Sequence, residues 1–527
     1  MDLVDARASS ARRVLARIER TSAAQRGALA LACIVLLSLA FRLHLSANSS
    51  LWIDELLTRR DIRAPWPRLL QRPSVDQPML MFVLVRLATD LLGTGETGLR
   101  AVSLLFGCVL LVAVYELCRE LGLSVARSLI VVATFALTPF FIAHATEARM
   151  YALLISCTTL ATTRALRVLR GQQLPRNVIG FGLVAAAAAA TQYFGLAYAF
   201  ALLGVVVIGA AMRWKTVSVP GRIVVVAALL VTLVPLGYLT HRAVEVARFY
   251  AVGSSGTSTG SAINWDLARE LRLDFAFLTR EGWGAVIEPG LVVVGLILLT
   301  LRLRGVARTL PIGLGLLPSA FALFLSSGAH FVAARYLSPS IVFYHLAACT
   351  TLFAAVDGIR RKLPVALVPV TAAAVLIGLL SVRVAEYPKG YGLGGEDYRG
   401  FQRYFMANLA ADTALVTHPG HFGDVIFGRE YKVGPPPISL EKFRPRRRFN
   451  RYVIVEIHST EERQAEVASL VERTFGLSPE AWASVPFLPL QRTTYQPAVR
   501  ARLVQLPDDY VPPSAPAKKR RRRKGHP

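Results

Sequence analysis

Long apolar segments separated by short polar links run through most of this chain. Most of the segments have roughly 16–22 residues, enough for a helix to cross the ~30 Å hydrocarbon core of a bilayer. The sequence therefore predicts a mostly α, polytopic membrane helix bundle with about eleven spans. We place these spans at residues 27–45, 101–118, 128–143, 148–166, 178–190, 194–212, 223–239, 286–301, 310–326, 341–356 and 364–382.

The pattern changes after residue 382, where shorter elements alternate. Strands are expected at 414–417, 452–457 and 494–506, and helices at 398–409 and 460–475. These elements predict a small C-terminal α/β domain. We divide the chain into a basic cytoplasmic N-terminus (1–26), a transmembrane domain (27–382), an extracytoplasmic α/β domain (383–510) and a disordered basic tail (511–527).

Two links between the spans are long enough to carry structure of their own. The first, residues 47–100, includes an apolar segment at 78–92 that predicts a helix at the membrane interface. The second, residues 244–283, includes the Gly- and Ser-rich stretch 253–261. A mobile lid and an ordinary linker both fit this second link.

The distribution of charge predicts how the chain crosses the membrane. Its 527 residues carry a formal net charge of +26, and the mean hydropathy is +0.45. In a soluble protein this charge would indicate nucleic acid binding, but here the basic residues fall largely in alternate links, which is the positive-inside pattern. These residues are Arg12, Arg13, Arg17, Arg20, Arg26, Arg119, Arg127, Arg167, Arg170, Arg176, Arg213, Lys215, Arg222, Arg302, Arg304, Arg308, Arg360, Arg361 and Lys362. We predict an inner (plasma) membrane protein with a cytoplasmic N-terminus, an extracytoplasmic C-terminal domain and membrane lipids, not nucleic acid, as partners.

The N-terminal segment could be a cleaved signal peptide, and cysteines could form disulfides or bind zinc, but the sequence favours neither. Segment 27–45 fits an uncleaved anchor better than a signal peptide, because it is long and no small-x-small cleavage site follows it. The five cysteines all lie in or beside apolar segments, so the sequence offers no disulfide framework and no zinc spacing. No metal ligands are assigned, although Asp54 with Glu55 could hold a divalent cation.

Polar and ionisable residues cluster at the ends of spans that face outward in this topology. Charge near a bilayer is costly, so clustering on one side indicates a functional site. The residues are Asp54, Glu55, Asp76, Arg100, His144, Glu147, Arg149, Tyr151, Gln192, Tyr193, Arg335 and Tyr336. Each also has a structural interpretation: Asp54 and Glu55 fit a solvated loop, and Arg335 fits a snorkelling anchor. Glu147 and Arg149 fit a structural ion pair at a helix start, and His144 fits a polar filler.

Taken in order, these elements resemble the GT-C superfamily of membrane glycosyltransferases. The segments that carry the resemblance are Leu51-Trp52-Ile53-Asp54-Glu55, Asp76-Gln77-Pro78, 93–100, Glu147-Ala148-Arg149-Met150-Tyr151 and Arg335-Tyr336. The branch most similar contains protein O-mannosyltransferases and the bacterial enzymes that glycosylate lipid A or lipopolysaccharide core. The resemblance covers about residues 30–382, and it departs at Gln77, where the family often has a His-Pro-Pro run.

The resemblance implies a sugar donor carried on a polyprenyl phosphate and a lipid, glycan or protein acceptor. It makes Asp54 the general base, and we place Glu55 beside it as a second catalytic residue. Donor binding is assigned to Arg100, His144, Glu147, Arg149, Tyr151, Arg335 and Tyr336, and acceptor binding to Asp76 and Tyr193. Arginine suits a lipid phosphate because its planar fork pairs with phosphate oxygens. We expect a single inverting displacement in one chamber open to the exterior.

Three other functions fit parts of the same pattern. A polytopic transporter or flippase would also have many spans and a polar cluster, although no internal repeat is visible. A non-catalytic assembly or sensor protein would act through its C-terminal domain. A ligase would keep the fold but move a whole glycan from a lipid pyrophosphate.

Overall fold

The computed structural model describes residues 2–49, 51–71, 77–253, 283–326, 334–360, 413–418, 438–440, 451–457, 461–486 and 499–505. The chain divides into two compact units. The first unit comprises Met1–Asn48 and Asp61–Tyr391, and the second comprises Ser49–Arg60 and Gly392–Pro527.

The regular secondary structure described before residue 361 is entirely helical. They are α1 (Asp2–Asn48), α2 (Ile53–Ile62), α3 (Trp66–Gln71), α4 (Leu80–Leu92), α5 (Glu96–Glu120), α6 (Val125–Leu137), α7 (Pro139–Thr146), α8 (Tyr151–Leu169), α9 (Leu174–Thr191), α10 (Phe194–Arg213), α11 (Val219–Gly253), α12 (Trp283–Arg302), α13 (Thr309–Ser326) and α14 (Ser338–Arg360). Short 3₁₀ turns occupy Trp214–Thr216, Gly305–Arg308 and Ala334–Leu337.

The apolar helices confirm the predicted membrane bundle. Among the described residues, seven helices are long and apolar enough to cross a membrane, and α6 with α7 makes an eighth if that bent pair is one span. Each of the seven falls on a predicted span. The predicted spans 286–301 and 310–326 are also helical, as α12 and α13. The predicted span 364–382 lies outside the described residues, and so do the predicted helix 398–409 and the basic tail.

Helix α8 is buried along almost its whole length, and it contacts α5, α9, α10 and α14. Hydroxyl side chains inside this apolar setting donate to the carbonyl four residues earlier, as Thr158 does to Leu154 at 2.8 Å and Thr162 to Thr158 at 2.9 Å. This local bond spares each hydroxyl the cost of burial without a partner. Close helix approach depends on glycine: a Cβ on Gly195 of α10 would lie 2.3 Å from the Ala188 carbonyl oxygen.

The span predicted at 128–143 is not one straight helix. Helices α6 and α7 meet at Thr138 and bend by 61°. Proline holds the bend, because Pro139 has no N–H to continue α6 and disfavours helical geometry in the residue before it. Thr138 is accordingly extended, with φ −71° and ψ 124°.

Ion pairs tie together the ends of α5 and α8 that lie away from Arg100. Glu120 Oε1 is 2.8 Å from Arg167 Nε, and its Oε2 is 2.5 Å from Arg170 Nη1. Arg127 also pairs with Asp357 of α14 at 2.5 Å. These arginines belong to the basic links that we predict to be cytoplasmic.

The described part of the second unit includes a four-stranded sheet with two helices. The strands are β1 (Thr413–His418), β2 (Ile438–Ser439), β3 (Arg451–Ile457) and β4 (Val499–Gln505), in the order β2-β1-β3-β4. Strand β1 is parallel to β2 and β3, and β4 is antiparallel to β3. Helices α15 (Glu461–Phe475) and α16 (Pro479–Ser484) follow β3. The predicted α/β character is confirmed, while the two-residue β2 and the short α16 were not predicted.

The core of this unit is apolar, with β-sheet and helix side chains in contact. Tyr452 of β3 and Phe475 of α15 are both buried, and their ring centroids are 5.2 Å apart. Arg502 of β4 stacks over the Trp482 ring at 4.6 Å, which lets the sheet bury a guanidinium against an aromatic face.

Candidate active site

Several predicted site residues gather at one end of the first unit, where α1 ends, α5 begins and α7 meets α8. Two hydrogen bonds fix this meeting point. Arg100 Nη1 donates to the Ser46 carbonyl at 2.8 Å, and Ser103 Oγ donates to the Arg149 carbonyl at 3.0 Å. Arg100 and Ser103 lie three residues apart on the same face of α5. The geometry therefore brings Arg100 and the α7–α8 loop to neighbouring positions.

Arg100 stabilises the end of a helix as well as carrying charge into the site. Its side chain is only 1% exposed. The Ser46 carbonyl that it binds lies in the last turn of α1, where carbonyls lack an intrahelical partner and the helix dipole favours a cation. At least one of its five N–H groups is thus committed to the protein.

A tight turn presents Arg149. Its backbone N–H donates to the Glu147 carbonyl at 2.8 Å, and Glu147 is the extended residue that ends α7. The Arg149 side chain is 7% exposed. Since Ser103 holds the Arg149 carbonyl, the backbone of this residue is fixed from both sides, and the loop places its guanidinium in a defined position.

His144 connects the loop to the aromatic residues of α7 and α8. Its ring centroid is 4.3 Å from that of Phe140, in an edge-to-face arrangement, and 4.6 Å from that of Tyr151. Its Nδ1 is 3.5 Å from the Glu147 carboxylate. The structure therefore groups four of the predicted donor-binding residues, His144, Glu147, Arg149 and Tyr151, in one cluster.

The sequence analysis missed a polar stripe on α1. Ser38, Arg42 and Ser46 are spaced by four residues and are 6%, 0% and 0% exposed, whereas Leu36 and Leu37 on other faces are 63% and 72% exposed. Among the described residues, the hydroxyls of Ser38 and Ser46 have no hydrogen-bond partner. The buried side of this span is thus polar and the exposed side apolar, a pattern that marks functional sites in membranes.

Arg42 lies in the same layer as the cluster on α7. A Cβ built on Gly107 of α5 would lie 2.7 Å from Arg42 Nη1 and 2.5 Å from the Ala145 Cβ. Ala145 is adjacent to His144. Arg42 could have been found from the sequence, as the one arginine inside the predicted span 27–45.

The polar residues between α9 and α10 lie at a junction with the start of α14. Tyr198 of α10 and Ser340 of α14 share a 2.7 Å hydrogen bond between their hydroxyls, and the Phe194 and Tyr336 ring centroids are 5.5 Å apart. This contact places Tyr336, and with it the adjacent Arg335, at the same end of the bundle as the α9–α10 turn. The side chains of Arg335 and Tyr336 are both half-buried.

Tyr193, an expected acceptor residue, points towards α11. Its phenol interacts with Arg242, which also pairs with Glu245. Partial burial raises the pKa of Tyr193 above its ordinary value. The phenol therefore keeps its proton at neutral pH and remains a hydrogen-bond donor.

The two adjacent acids of the first outer link differ in their roles in α2, which lies mainly in the second unit. Glu55 is fully buried, and its Oε2 accepts the Trp52 N–H at 3.1 Å, three residues back. This is the carboxylate half of a capping box, which satisfies a donor at the helix start. Asp54 is half-buried, and its carbonyl accepts from Thr58 at 3.0 Å. The expected grouping of Asp54 with the arginines of the first unit stays a prediction.

The expectations for Asp76 and for a divalent cation stay predictions. Asp76 lies outside the described residues. Across the described ranges, no three His, Cys, Asp or Glu side chains gather as a set of metal ligands.

Three solved structures share the fold of this chain. AglB, an oligosaccharyltransferase from Archaeoglobus fulgidus in complex with an inhibitory peptide and a dolichol-phosphate, is similar over 88% of this chain and 72% of its own, with a TM-score of 0.50 and 12% identity. ArnT from Cupriavidus metallidurans bound to undecaprenyl phosphate is similar over 90% of this chain and 97% of its own, with a TM-score of 0.50 and 12% identity. Apo ArnT from the same organism is similar over 92% of this chain and 98% of its own, with a TM-score of 0.51 and 11% identity. The chain has the GT-C fold.

A family match agrees with the fold. Residues 76–239 match the sequence profile of the family described as dolichyl-phosphate-mannose-protein mannosyltransferase. The match and the fold confirm the resemblance to the GT-C superfamily that the motifs indicated. No curated protein is a recognisable relative of the sequence.

Proposed function

We propose that this protein transfers a sugar from a polyprenyl-phosphate donor to an acceptor hydroxyl on the extracytoplasmic side of a membrane, with inversion at the anomeric carbon. The observation that carries the proposal is the pair of buried arginines, Arg100 and Arg149, held at one end of the bundle within the family-matched residues 76–239. Buried guanidinium groups at one end of a bundle of membrane helices suit a lipid-borne phosphate. The fold supports an enzyme over the alternative of a transporter or flippase.

The nature of the donor follows from the chemistry of the cluster and from the neighbours in fold. The AglB and ArnT structures hold a dolichol-phosphate and an undecaprenyl phosphate. We infer the same carrier class here, because Arg149 and Arg100 offer planar, charge-assisted donors in a low-dielectric setting. For the acceptor we predict only that it attacks through a hydroxyl group. Lipid, glycan and protein acceptors all fit this prediction.

In the reaction, the acceptor oxygen forms a bond to the anomeric carbon while the bond from that carbon to the phosphate oxygen breaks. The acceptor proton passes to the Asp54 carboxylate, and polyprenyl phosphate leaves with the bonding electrons. Charge on the departing phosphate grows along this path, so fixed guanidinium groups stabilise the transition state more than the ground state.

Other residues position these groups. Glu55 caps α2 and so fixes the helix that carries Asp54. His144, Glu147 and Tyr151 pack around the turn that presents Arg149. We assign Arg335 and Tyr336 to donor binding, and Asp76 and Tyr193 to acceptor binding.

The experiment that tests the general base is Asp54→Asn, compared with Asp61→Asn on the same helix. Asparagine keeps the shape of the side chain but cannot accept the proton, so we expect transfer from a synthetic polyprenyl-phosphate sugar to fall by about 10²–10⁴-fold. The measurement is release of polyprenyl phosphate in membranes that supply the acceptor. Asp61→Asn makes the same chemical change near the other end of α2, and it should leave turnover close to wild type. Equal turnover in both variants would remove Asp54 from the mechanism.

A further inference from the structure

The junction between α10 and α14 contains two buried polar groups that the proposed mechanism does not use. We define this junction by Gln192, Phe194 and Tyr198 on one side and Tyr336 and Ser338 on the other. The Phe194–Tyr336 ring contact and the Tyr198–Ser340 hydrogen bond hold the two sides together. Gln192 precedes Phe194 by two residues, and Ser338 follows Tyr336 by two, so both are close to the ring contact along the chain.

Ser338 has a buried hydroxyl that forms no hydrogen bond within the described structure. It is 0% exposed, it begins α14, and its Oγ has no hydrogen-bond partner among the described residues. A serine near a helix start often bonds a backbone N–H of the first turn. The nearby Ser340 shows the contrast, since its Oγ donates to the Leu314 carbonyl at 2.7 Å and bonds Tyr198.

Gln192 likewise has a buried side-chain carbonyl that accepts no hydrogen bond within the described structure. The residue is 4% exposed, and Oε1 has no partner in the part of the chain that the structure describes. Its backbone is fully engaged, because its N–H donates to Ala188 at 3.3 Å and its carbonyl accepts from Gly195 at 2.8 Å. Only the side chain is therefore available to a ligand.

Two such groups in one junction require an explanation. Leaving a buried polar group without a partner costs about 1–3 kcal/mol, and native proteins keep few of them. A ligand that forms the missing hydrogen bonds accounts for both. The carbonyl of Gln192 accepts, and the hydroxyl of Ser338 both donates and accepts, so the matching ligand groups are hydroxyls.

We propose that Gln192 and Ser338 bind hydroxyl groups of the donor's sugar, and that this sugar is uncharged. The assignment rests on the proposed function and deepens it. Both side chains are neutral, so neither of them supplies a counter-charge to a charged sugar substituent. Arg335, one residue before Tyr336, places a cation beside the junction for the phosphate to which the sugar is attached. Gln192 and Ser338 are thus specificity-determining residues, distinct from the arginines that hold the phosphate.

The test combines donor kinetics with stability in Gln192→Met and Ser338→Ala, with Ser340→Ala as the matched control. The probes are synthetic polyprenyl phosphates that carry neutral hexoses or pentoses, one that carries glucuronic acid, and sugar-free polyprenyl phosphate. Each of the first two variants should raise KM for a neutral-sugar probe by about tenfold, the loss expected for one hydrogen bond. Binding of sugar-free polyprenyl phosphate should not change.

Stability without donor should move in the opposite direction. Removing a group that has no partner should leave the melting temperature of the purified protein unchanged or raise it. Ser340→Ala removes two formed hydrogen bonds, so it should lower the melting temperature. The Phe194–Tyr336 contact still joins the two sides, so the KM for the donor should stay close to the wild-type value.

Several results would overturn the assignment. A lower melting temperature with unchanged KM would show that Gln192 and Ser338 are structural, for example by holding a water. Equal weakening of sugar-free phosphate binding would place their contacts on the phosphate, and use of the glucuronic acid probe alone would contradict an uncharged sugar. Wild-type protein that releases polyprenyl phosphate from none of the probes would contradict the proposed function itself. Wild-type turnover with unaltered variants would reject only this inference.

Discussion

Arg42 is accommodated inside the bundle because the residue opposite it on α5 has no side chain. A Cβ at Gly107 would approach both Arg42 Nη1 and the Ala145 Cβ to less than 3 Å. Three helices, α1, α5 and α7, therefore come together at a point where one methyl group does not fit. Since Ala145 is next to His144, the position of the predicted donor-binding cluster depends on this contact.

Replacing Gly107 by alanine should therefore damage both stability and activity. We expect the free energy of unfolding to fall by about 1–3 kcal/mol, the usual cost of overpacking, and turnover to fall with it because Arg42 and α7 must move. The control is Gly204→Ala in α10, where a Cβ would meet no described atom within 4 Å. That change should be neutral or stabilise by up to ~1 kcal/mol through helix propensity. Thermal unfolding and donor turnover of the two variants measure the difference, and equal melting temperatures would contradict the packing argument.

Asp54 and Glu55 show what adjacent residues can and cannot reveal in a sequence. Both acids were predicted to be catalytic. The spacing of Glu55, three residues after Trp52, also fits a capping box, and in the structure its carboxylate accepts the Trp52 N–H. The sequence thus located the acidic pair, but burial and hydrogen bonding, which distinguish its members, became visible only in three dimensions.

At the scale of helices, a helix end was predictable where polar residues interrupt the apolar pattern, and it was not predictable where the pattern continues. The near-continuous apolar stretch 178–212 was correctly divided, because Gln192 interrupts it, and α9 ends at Thr191. The bend between α6 and α7 was missed, since Thr138 and Pro139 lie among apolar residues and the hydrophobic pattern continues through them. The polar side of α1 was missed for a similar reason, as small serines barely lower the mean hydropathy of a span.

The bend between α6 and α7 makes Pro139 a test of how an element positions the site. Pro139→Ala restores an N–H and releases Thr138, so α6 can continue and shift His144 away from Glu147 and Tyr151. We expect at least a tenfold loss of turnover, with a stability loss on the order of 0.4–1 kcal/mol from the freer unfolded chain.

Pro175→Ala is the matched control for that substitution. Pro175 also lies in the first turn of its helix, α9, but it follows the link between two separate spans and not a bend between two helices of one span. It should lose a similar amount of stability and keep its activity. Comparable turnover in the two proline variants would show that the bend does not position the predicted donor-binding cluster.

At the scale of the whole first unit, the two ends of the bundle differ chemically. One end holds the buried Arg100 and Arg149 close to the α7–α8 loop. The other end holds ion-paired arginines, such as Arg167 and Arg170 with Glu120, in links that follow the positive-inside pattern. The same rule that predicts a cytoplasmic location for the paired arginines predicts that Arg149 lies outside, where we propose that a lipid-linked donor is used.

Labelling of single cysteines on the two ends measures this orientation directly. Thr94 lies in the exposed link between α4 and α5, six residues before Arg100, and Gln172 lies in the exposed link between α8 and α9. In a parent chain with its five cysteines replaced by alanine, we expect Thr94→Cys to react with a membrane-impermeant maleimide in intact cells whose outer barrier has been opened. Gln172→Cys should react only after the inner membrane is permeabilised, because the basic links beside it remain in the cytoplasm. The reverse pattern would place Arg100 and Arg149 in the cytosol and contradict extracytoplasmic transfer, even if the GT-C fold and the donor class were both correct.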